Sequence, residues 1–242
     1  MPRLLVPGPI APTSRQVLGP EQAHRLREVL RLKAGDEVTL FDGSGGEYPA
    51  IVRALSRQQV EVETSAWQAV ARESRLEITL AQGISRGDRM DYTLQKAVEL
   101  GVSRLIPIAS ARSQVKLAGE RADRRLAHWR GVIAHACEQS GRDRVPELTE
   151  ILTLAECVAH DSSSLRLTLA PGAPEPLASV VRDAQTITLV IGPEGGLAPE
   201  EIELLSARGY RPVRLGPRVL RTETAALVAI TSLQMIAGDL GD

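Results

Sequence analysis

Leu189-Val190-Ile191-Gly192-Pro193-Glu194-Gly195-Gly196 is an apolar strand that breaks at Gly-Pro and runs into a glycine-rich turn. Further along, Leu215-Gly216-Pro217-Arg218-Val219-Leu220-Arg221-Thr222-Glu223-Thr224-Ala225 repeats the plan. Each stretch leads to a helix. Pro199-Glu200-Glu201 opens the first, with proline early and acids at the positive end. The second is expected to start with Thr222 as its cap and to run to about Ala237, where Gly238 stops it. Strand, glycine-rich loop and helix in succession are how α/β proteins bring backbone close to a ligand. Neither loop is a phosphate loop. The Gly-Lys-Ser/Thr ending of a Walker loop is missing, and so is Gly-x-Gly-x-x-Gly. Glu194 would repel a pyrophosphate and suits a cationic or polar ligand. Gly-Pro is also ordinary turn punctuation, so spacing alone leaves a ligand loop and a plain connection both open.

Upstream of these loops the chain alternates strand and helix. Strands are expected at Leu76–Ala81, Arg104–Ile108, Leu165–Leu169, Ile187–Ile191 and Val213–Leu215. Between them, Asp88 can cap a helix whose Met90, Leu94, Ala97 and Val98 form one stripe ended by Gly101. Arg121–Glu138 and Thr153–His160 read as further helices. This is an α/β layout with a mostly parallel sheet. The first seventy or so residues differ. One helix, Glu21–Arg31, precedes strands at Glu37–Phe41, Tyr48–Leu55 and Gln59–Val62, and tight turns such as Asp42-Gly43-Ser44-Gly45-Gly46 suggest a small barrel. Ser65–Ser74 reads as a linker, with Trp67 packed somewhere. Two domains are expected, 1–72 and 73–242.

Hydrophobic residues make up 43% of the 242, enough for a core without disulfides. Cys137 and Cys157 fit no metal spacing and read as reduced, small apolar side chains. His24, His128, His135 and His160 show no ligand spacing either, so no metal is expected. The Pro-broken N-terminus is no signal peptide, and no apolar run reaches the roughly 20 residues of a membrane span, which points to a soluble, cytoplasmic protein. A net charge of −1 gives no global attraction to nucleic acid. With aromatics at 2%, stacking on Phe or Tyr platforms is not the main way of holding RNA. Of the 29 basic residues only Lys33, Lys96 and Lys116 are lysines. That bias suits bidentate phosphate contacts, and equally a GC-rich genome.

Across these motifs the chain resembles the small-subunit ribosomal RNA methyltransferase E family, the uracil-N3 methyltransferases of the SPOUT superfamily. The resemblance is carried by Asp42-Gly43-Ser44, by Gln82-Gly83-Ile84-Ser85-Arg86-Gly87-Asp88-Arg89-Met90, and by Gln95-Lys96-Ala97-Val98-Glu99-Leu100-Gly101-Val102. Glu138-Gln139-Ser140-Gly141-Arg142 and both Gly-Pro loops complete it, in the family's order over nearly the whole chain. It implies a PUA-like, RNA-binding β-barrel over 1–72 and a SPOUT domain over 73–242, whose trefoil knot brings the 189–196 and 215–221 loops together around S-adenosylmethionine. It also implies a homodimer and methylation of a uridine N3 in 16S rRNA of the small ribosomal subunit. Composition and spacing by themselves point to an ordinary unknotted sheet, because knots are rare. Two positions depart from the family pattern: Ala170, often polar or His, and Ala198, where a capping Ser or Thr is natural.

From the resemblance, the cofactor-binding residues are expected to be Leu169, Ile191, Gly192, Glu194, Gly195, Gly196, Leu215, Gly216, Val219, Leu220 and Thr224. Uracil N3 carries a proton and is a poor nucleophile until it leaves. Arg221 is the expected partner of a uracil carbonyl where negative charge develops, and either Glu223 or Glu194 the proton acceptor. Arg25, Arg31, Arg86, Arg89, Arg112 and Arg142 are the RNA-binding candidates, with Arg142 placed near the uridine. Basic runs are also ordinary solvated helix faces. Two other classes fit the sequence less well. A binding module that has lost catalysis would lack Arg221 or Glu223, yet both are present. An ordinary α/β phosphate enzyme would bind ATP instead of S-adenosylmethionine.

Overall fold

The structure is a computed structural model and describes residues 1–115, 117–182 and 184–241. Lys116, one of the expected basic residues, lies outside the described residues. Two compact units are present.

The first comprises Met1–Glu73 and Cys137–Val145. The return of 137–145 to this unit was not expected from a division at residue 72. Its sheet contains β1 (Arg3–Leu5), β2 (Arg15–Leu18), β3 (Glu37–Phe41), β4 (Tyr48–Leu55) and β5 (Val60–Thr64), in the order β1-β3-β4-β5-β2. β1 joins β3 in parallel and the remaining pairs are antiparallel, with a bulge between Val52 and Ala54. Alternate inward residues Val38, Leu40, Val52, Val60 and Val62 are buried, and Leu4 and Leu26 close over them. The expected first helix is α1 (Pro20–His24), which widens into a π turn over Arg25–Val29. β1 and β2 were missed because they are short and flanked by Pro2, Pro7 and Pro12.

The second unit, Ser74–Ala136 with Pro146–Asp242, is built on a seven-stranded sheet. Its strands are β6 (Glu77–Gly83), β7 (Arg104–Ile108), β8 (Glu147–Leu148), β9 (Leu165–Leu169), β10 (Glu175–Pro176), β11 (Thr186–Ile191) and β12 (Arg211–Arg214). They lie in the order β10-β12-β9-β11-β6-β7-β8, and every pairing is parallel. β6 and β11 are buried along nearly their whole length because both of their faces are covered. The helices are α2 (Asp88–Glu99), α3 (Glu120–Ser140), α4 (Leu154–Ala159), α5 (Leu177–Val180), α6 (Pro199–Ala207) and α7 (Thr222–Ala237). The residues of α3 from Cys137 onward cluster with the first unit.

α7 buries Ala226, Ala229, Ile230 and Leu233 and packs on α2. Burial of Ile230 and Leu233 stabilises by about 1.5–3 kcal/mol each relative to exposure. Gln234, fully buried, fixes the packing: its Nε2 donates to the Leu100 carbonyl at 3.0 Å, and its Oε1 accepts from Ser74 Oγ at 2.8 Å.

The three helix starts α2, α4 and α6 are capped in different ways. Asp88 is the first residue of α2 and Gly87 the cap, with no side-chain capping bond. Thr153 caps α4 as a capping box with Glu156, as its sequence position suggests. At α6 the missing hydroxyl of Ala198 is offset from the other side, since Glu201 Oε2 accepts the Ala198 N–H at 2.8 Å. The same carboxylate accepts from Ser110 Oγ and the Ala111 N–H, both at 2.9 Å.

Candidate active site

The C-terminal ends of β9, β11 and β12 open onto a cavity of about 650 Å³. This is where parallel α/β sheets hold ligands. The two Gly-Pro loops face each other across it: Ile191, Gly192, Glu194 and Gly196 on one side, Leu215, Val219, Leu220 and Arg221 on the other. β12 is separated from β11 by β9, so contact between the loops is not a consequence of strand neighbourhood.

Thr222 makes that contact. It is the first helical residue of α7, and Arg221 holds the cap position without a side-chain bond. The expected capping hydroxyl is used elsewhere. Thr222 Oγ1 donates to the Gly192 carbonyl at 2.7 Å and accepts from Gln82 Nε2 at 3.0 Å. Gln82 Nε2 also donates to the Gly83 carbonyl at 3.0 Å. The end of β6 thus holds the second loop against the first. Gly83 is needed for this approach, because a Cβ there would stand 2.5 Å from the Pro193 nitrogen.

Of the expected cofactor residues, Leu169, Ile191, Gly192, Glu194, Gly196, Leu215, Val219 and Leu220 line the cavity. Gly195, Gly216 and Thr224 do not. Gly195 packs instead on Arg112, whose guanidinium donates to its carbonyl at 3.2 Å. Gly216 is an exposed turn residue at φ +90°, and Thr224 is exposed on α7. Sequence reading missed Thr168, Leu197 and Arg214, among others in the lining. Thr168 is a buried hydroxyl at the end of an apolar strand, with no hydrogen-bond partner among the described residues. That mismatch of polarity was its only signal. Ala170, the departure from the family pattern, also lines the cavity.

The charged groups form one cluster at the cavity. Glu194 Oε1 accepts from the Arg86 N–H at 3.0 Å and from the Arg89 guanidinium at 3.1 Å. Arg89 Nε also lies 3.9 Å from Glu223 Oε1. Burial acts to raise the Glu194 carboxyl, but the backbone amides of Arg86 and Glu194 and the Arg89 guanidinium outweigh it. The net effect is a pKa below the ordinary carboxylate value. Glu194 Oε2 and Glu223 Oε2 are buried without a hydrogen-bond partner among the described residues. The Arg221 guanidinium makes no hydrogen bond or ion pair with the described residues, and it lines the cavity.

The RNA candidates separate. Arg86, Arg89 and Arg112 gather around the 192–196 loop, and Arg86 also donates to Gln114 Oε1 at 2.9 Å. Arg25 and Arg31 belong to the first unit; Arg31 is exposed, whereas Arg25 is ion-paired with Glu138. Arg142, expected near the uridine, is buried: its side chain is 6% exposed and it clamps Glu73, with Nε at 3.1 Å from both carboxylate oxygens. A buried guanidinium engaged in this way ties the return segment into its own unit. Cys137 and Cys157 are free thiols, and burial pushes them up to about 12 and about 11. Among the described residues, no group of three or more His, Cys, Asp or Glu could hold a metal, and no helix is long and apolar enough to cross a membrane.

A family model of the RNA methyltransferase domain matches residues 72–234, and one of the RNA methyltransferase PUA domain matches residues 18–65. The ribosomal RNA small subunit methyltransferase E of Buchnera aphidicola (Schizaphis graminum) is 31% identical over 92% of this chain and 91% of its own. The chain belongs to the ribosomal RNA small subunit methyltransferase E family. The Bacillus subtilis member is 30% identical over 90% of this chain and 91% of its own. The Neisseria gonorrhoeae member, solved bound to S-adenosyl methionine, superposes with a TM-score of 0.92 at 38% identity, over 99% of both chains. A Legionella pneumophila protein solved with bound cofactor SAM gives a TM-score of 0.95 at 40% identity, over 98% of both. The α/β class with its mostly parallel sheet and small N-terminal barrel is therefore the family's own fold.

Proposed function

We propose that the chain transfers the methyl group of S-adenosylmethionine to N3 of a uridine in 16S rRNA of the small ribosomal subunit. The observation that carries this is the cavity pinched between the two tied loops, with Arg221 free at its wall and the Arg89–Glu194–Glu223 cluster beside it. The cavity suits the cofactor. Its volume falls in the usual range for small-molecule sites. Leu169, Ile191, Leu197 and Leu215 offer apolar cover for an adenine ring. Thr168 Oγ1 and Glu194 Oε2, both unpartnered, await donors such as ribose hydroxyls and amino groups.

When bound, S-adenosylmethionine supplies an electrophilic methyl group on a sulfonium. The chain's own part is alignment and charge. The Thr222 tie fixes the two loops, and with them the line of attack. Arg221 stabilises negative charge on a uracil carbonyl oxygen as N3 loses its proton. Between the two acids, we assign the proton to Glu223. Three donors hold Glu194 as a weakly basic carboxylate, whereas among the described residues Glu223 is approached only by Arg89 Nε at 3.9 Å.

The trefoil knot belongs to the same reading. Its support is that the loop after β12 lies against the loop after β11 although β9 separates their strands. So does the homodimer: Tyr92 on α2 and Val228, Met235 and Ile236 on α7 are all at least 40% exposed, an apolar face that water disfavours. A cytoplasmic location completes the proposal. The test is methylation of 16S rRNA with purified protein and labelled S-adenosylmethionine, read by nucleoside mass spectrometry. 3-Methyluridine is expected; a different methylated nucleoside, or none on naked rRNA or assembled subunits, would overturn the assignment.

A further inference from the structure

The first unit has a cavity of its own, about 290 Å³, lined by Gly45, Gly46, Trp67, Glu73, Asp143 and Arg144 among others. We infer that it receives an unpaired nucleobase bearing an exocyclic amino group, from the RNA that carries the target uridine. This rests on the RNA-methyltransferase reading above and adds to it a second, base-selective contact.

Three observations carry the inference. Trp67 is the large aromatic ring at the surface of this unit, 51% exposed. It is not a floppy side chain. Glu47 and Gln68 exchange backbone hydrogen bonds at 2.8 and 2.9 Å next to it, and its Nε1 donates to the Gly45 carbonyl at 3.3 Å. The ring lies so close over Gly46, at φ +77°, that a Cβ there would meet Nε1 at 2.1 Å; any other residue would expel the indole. A fixed, half-exposed indole is a stacking surface for a base.

Asp143 is the second. It is 2% exposed, and Oδ2 accepts the Gly46 N–H. Oδ1 is buried with no partner among the described residues. A buried carboxylate oxygen without a donor is costly, and a ligand that brings an N–H relieves it. Adenine, cytosine and guanine carry an amino group on the Watson–Crick edge. Uracil offers a single N3–H between two carbonyl oxygens that a carboxylate repels. The pocket therefore selects against the very base that is methylated, and it reads a neighbour.

Arg144 is the third. A Cβ on Gly45 would stand 3.2 Å from its guanidinium, so it forms the facing wall. That guanidinium makes no hydrogen bond or ion pair with the described residues, leaving it available to a phosphate or to a base face.

The experiment uses the full chain and fluorescently labelled hexaribonucleotides: hexauridylate, and hexamers with one A, C or G among uridines. Anisotropy should show the amino-bearing hexamers bound roughly ten-fold or more tighter than hexauridylate, as for a hydrogen bond to a charged group. Asp143→Asn should erase the preference, because an amide can present either a donor or an acceptor. Trp67→Ala should weaken all the hexamers roughly five-fold or more, and Trp67→Phe, which keeps a ring, should recover part of that. Calorimetry of S-adenosylmethionine on each variant reports folding and the other site independently. Equal binding of all hexamers by the unaltered chain, or an Asp143→Asn protein that keeps the preference, would overturn the pocket. Failure of the unaltered chain to bind S-adenosylmethionine would instead strike at the methyltransferase reading.

Discussion

Replacing Thr222 by valine keeps the shape and deletes the hydroxyl that joins the loops. Two hydrogen bonds go, to the Gly192 carbonyl and from Gln82 Nε2. Gln82 is 1% exposed and its Oε1 already lacks a partner among the described residues, so the side chain cannot turn to water. Its Nε2 keeps only the Gly83 carbonyl. Leaving buried polar groups unsatisfied costs about 1–3 kcal/mol. If that cost falls on the arrangement that binds ligand, the Kd for S-adenosylmethionine rises roughly 5- to 150-fold. Isothermal titration calorimetry measures it directly. Thr222→Ser is the control, since it keeps the hydroxyl and should stay within about 1 kcal/mol of the original. The reasoning fails if the valine variant binds as tightly as the serine variant, because the loops would then be held by something other than this bridge.

Arg221→Ala should bind S-adenosylmethionine normally yet lose about 10²- to 10³-fold in single-turnover rate; an equal loss in both would make Arg221 a cofactor ligand only. Asp161 supplies a pH test. Burial acts to raise its carboxyl, but hydrogen bonds from Tyr210, Ser163 and Thr188 prevail and hold it below the ordinary 3.8. Because the folded pKa is the lower one, its contribution to stability is complete above the unfolded value and disappears as pH falls through the folded value. Urea midpoints should therefore drop below about pH 4, and Asp161→Asn should flatten that limb at the expense of stability at neutral pH; an unchanged limb would show that other carboxylates dominate. Met235→Glu places a charge on the exposed apolar face of α7, and sedimentation should show a shift toward monomer. A variant that sediments as the original does would remove that face from the interface.

Much of the second unit was legible because its signals are local. The β-branched run of Thr186–Ile191, the stripe of α2 and the Pro-Glu-Glu start of α6 each specify one element from a few adjacent residues. The Gly-Pro loops were legible as a matched pair, and eight of the eleven residues expected around the cofactor line the cavity between them. What failed was long-range. Thr222 looks like a cap because a cap is a local motif, and nothing near it shows that Gln82 and Gly192 claim its hydroxyl. Arg142 looks like a surface cation until Glu73 is placed beside it. The two-residue strands β8 and β10 carry too little pattern to be read at all.

Gly83 shows how the depth of the cavity is determined. The tip of one strand lies within van der Waals reach of the next crossover, and only a hydrogen atom fits between them. A methyl group added there would act as a wedge from behind the lining, lifting the Gly192-Pro193 corner and prying apart the jaws. Backbone clearance at this seam thus governs how far the two loops can part, and variants that retune ligand size should be sought there as well as in the lining.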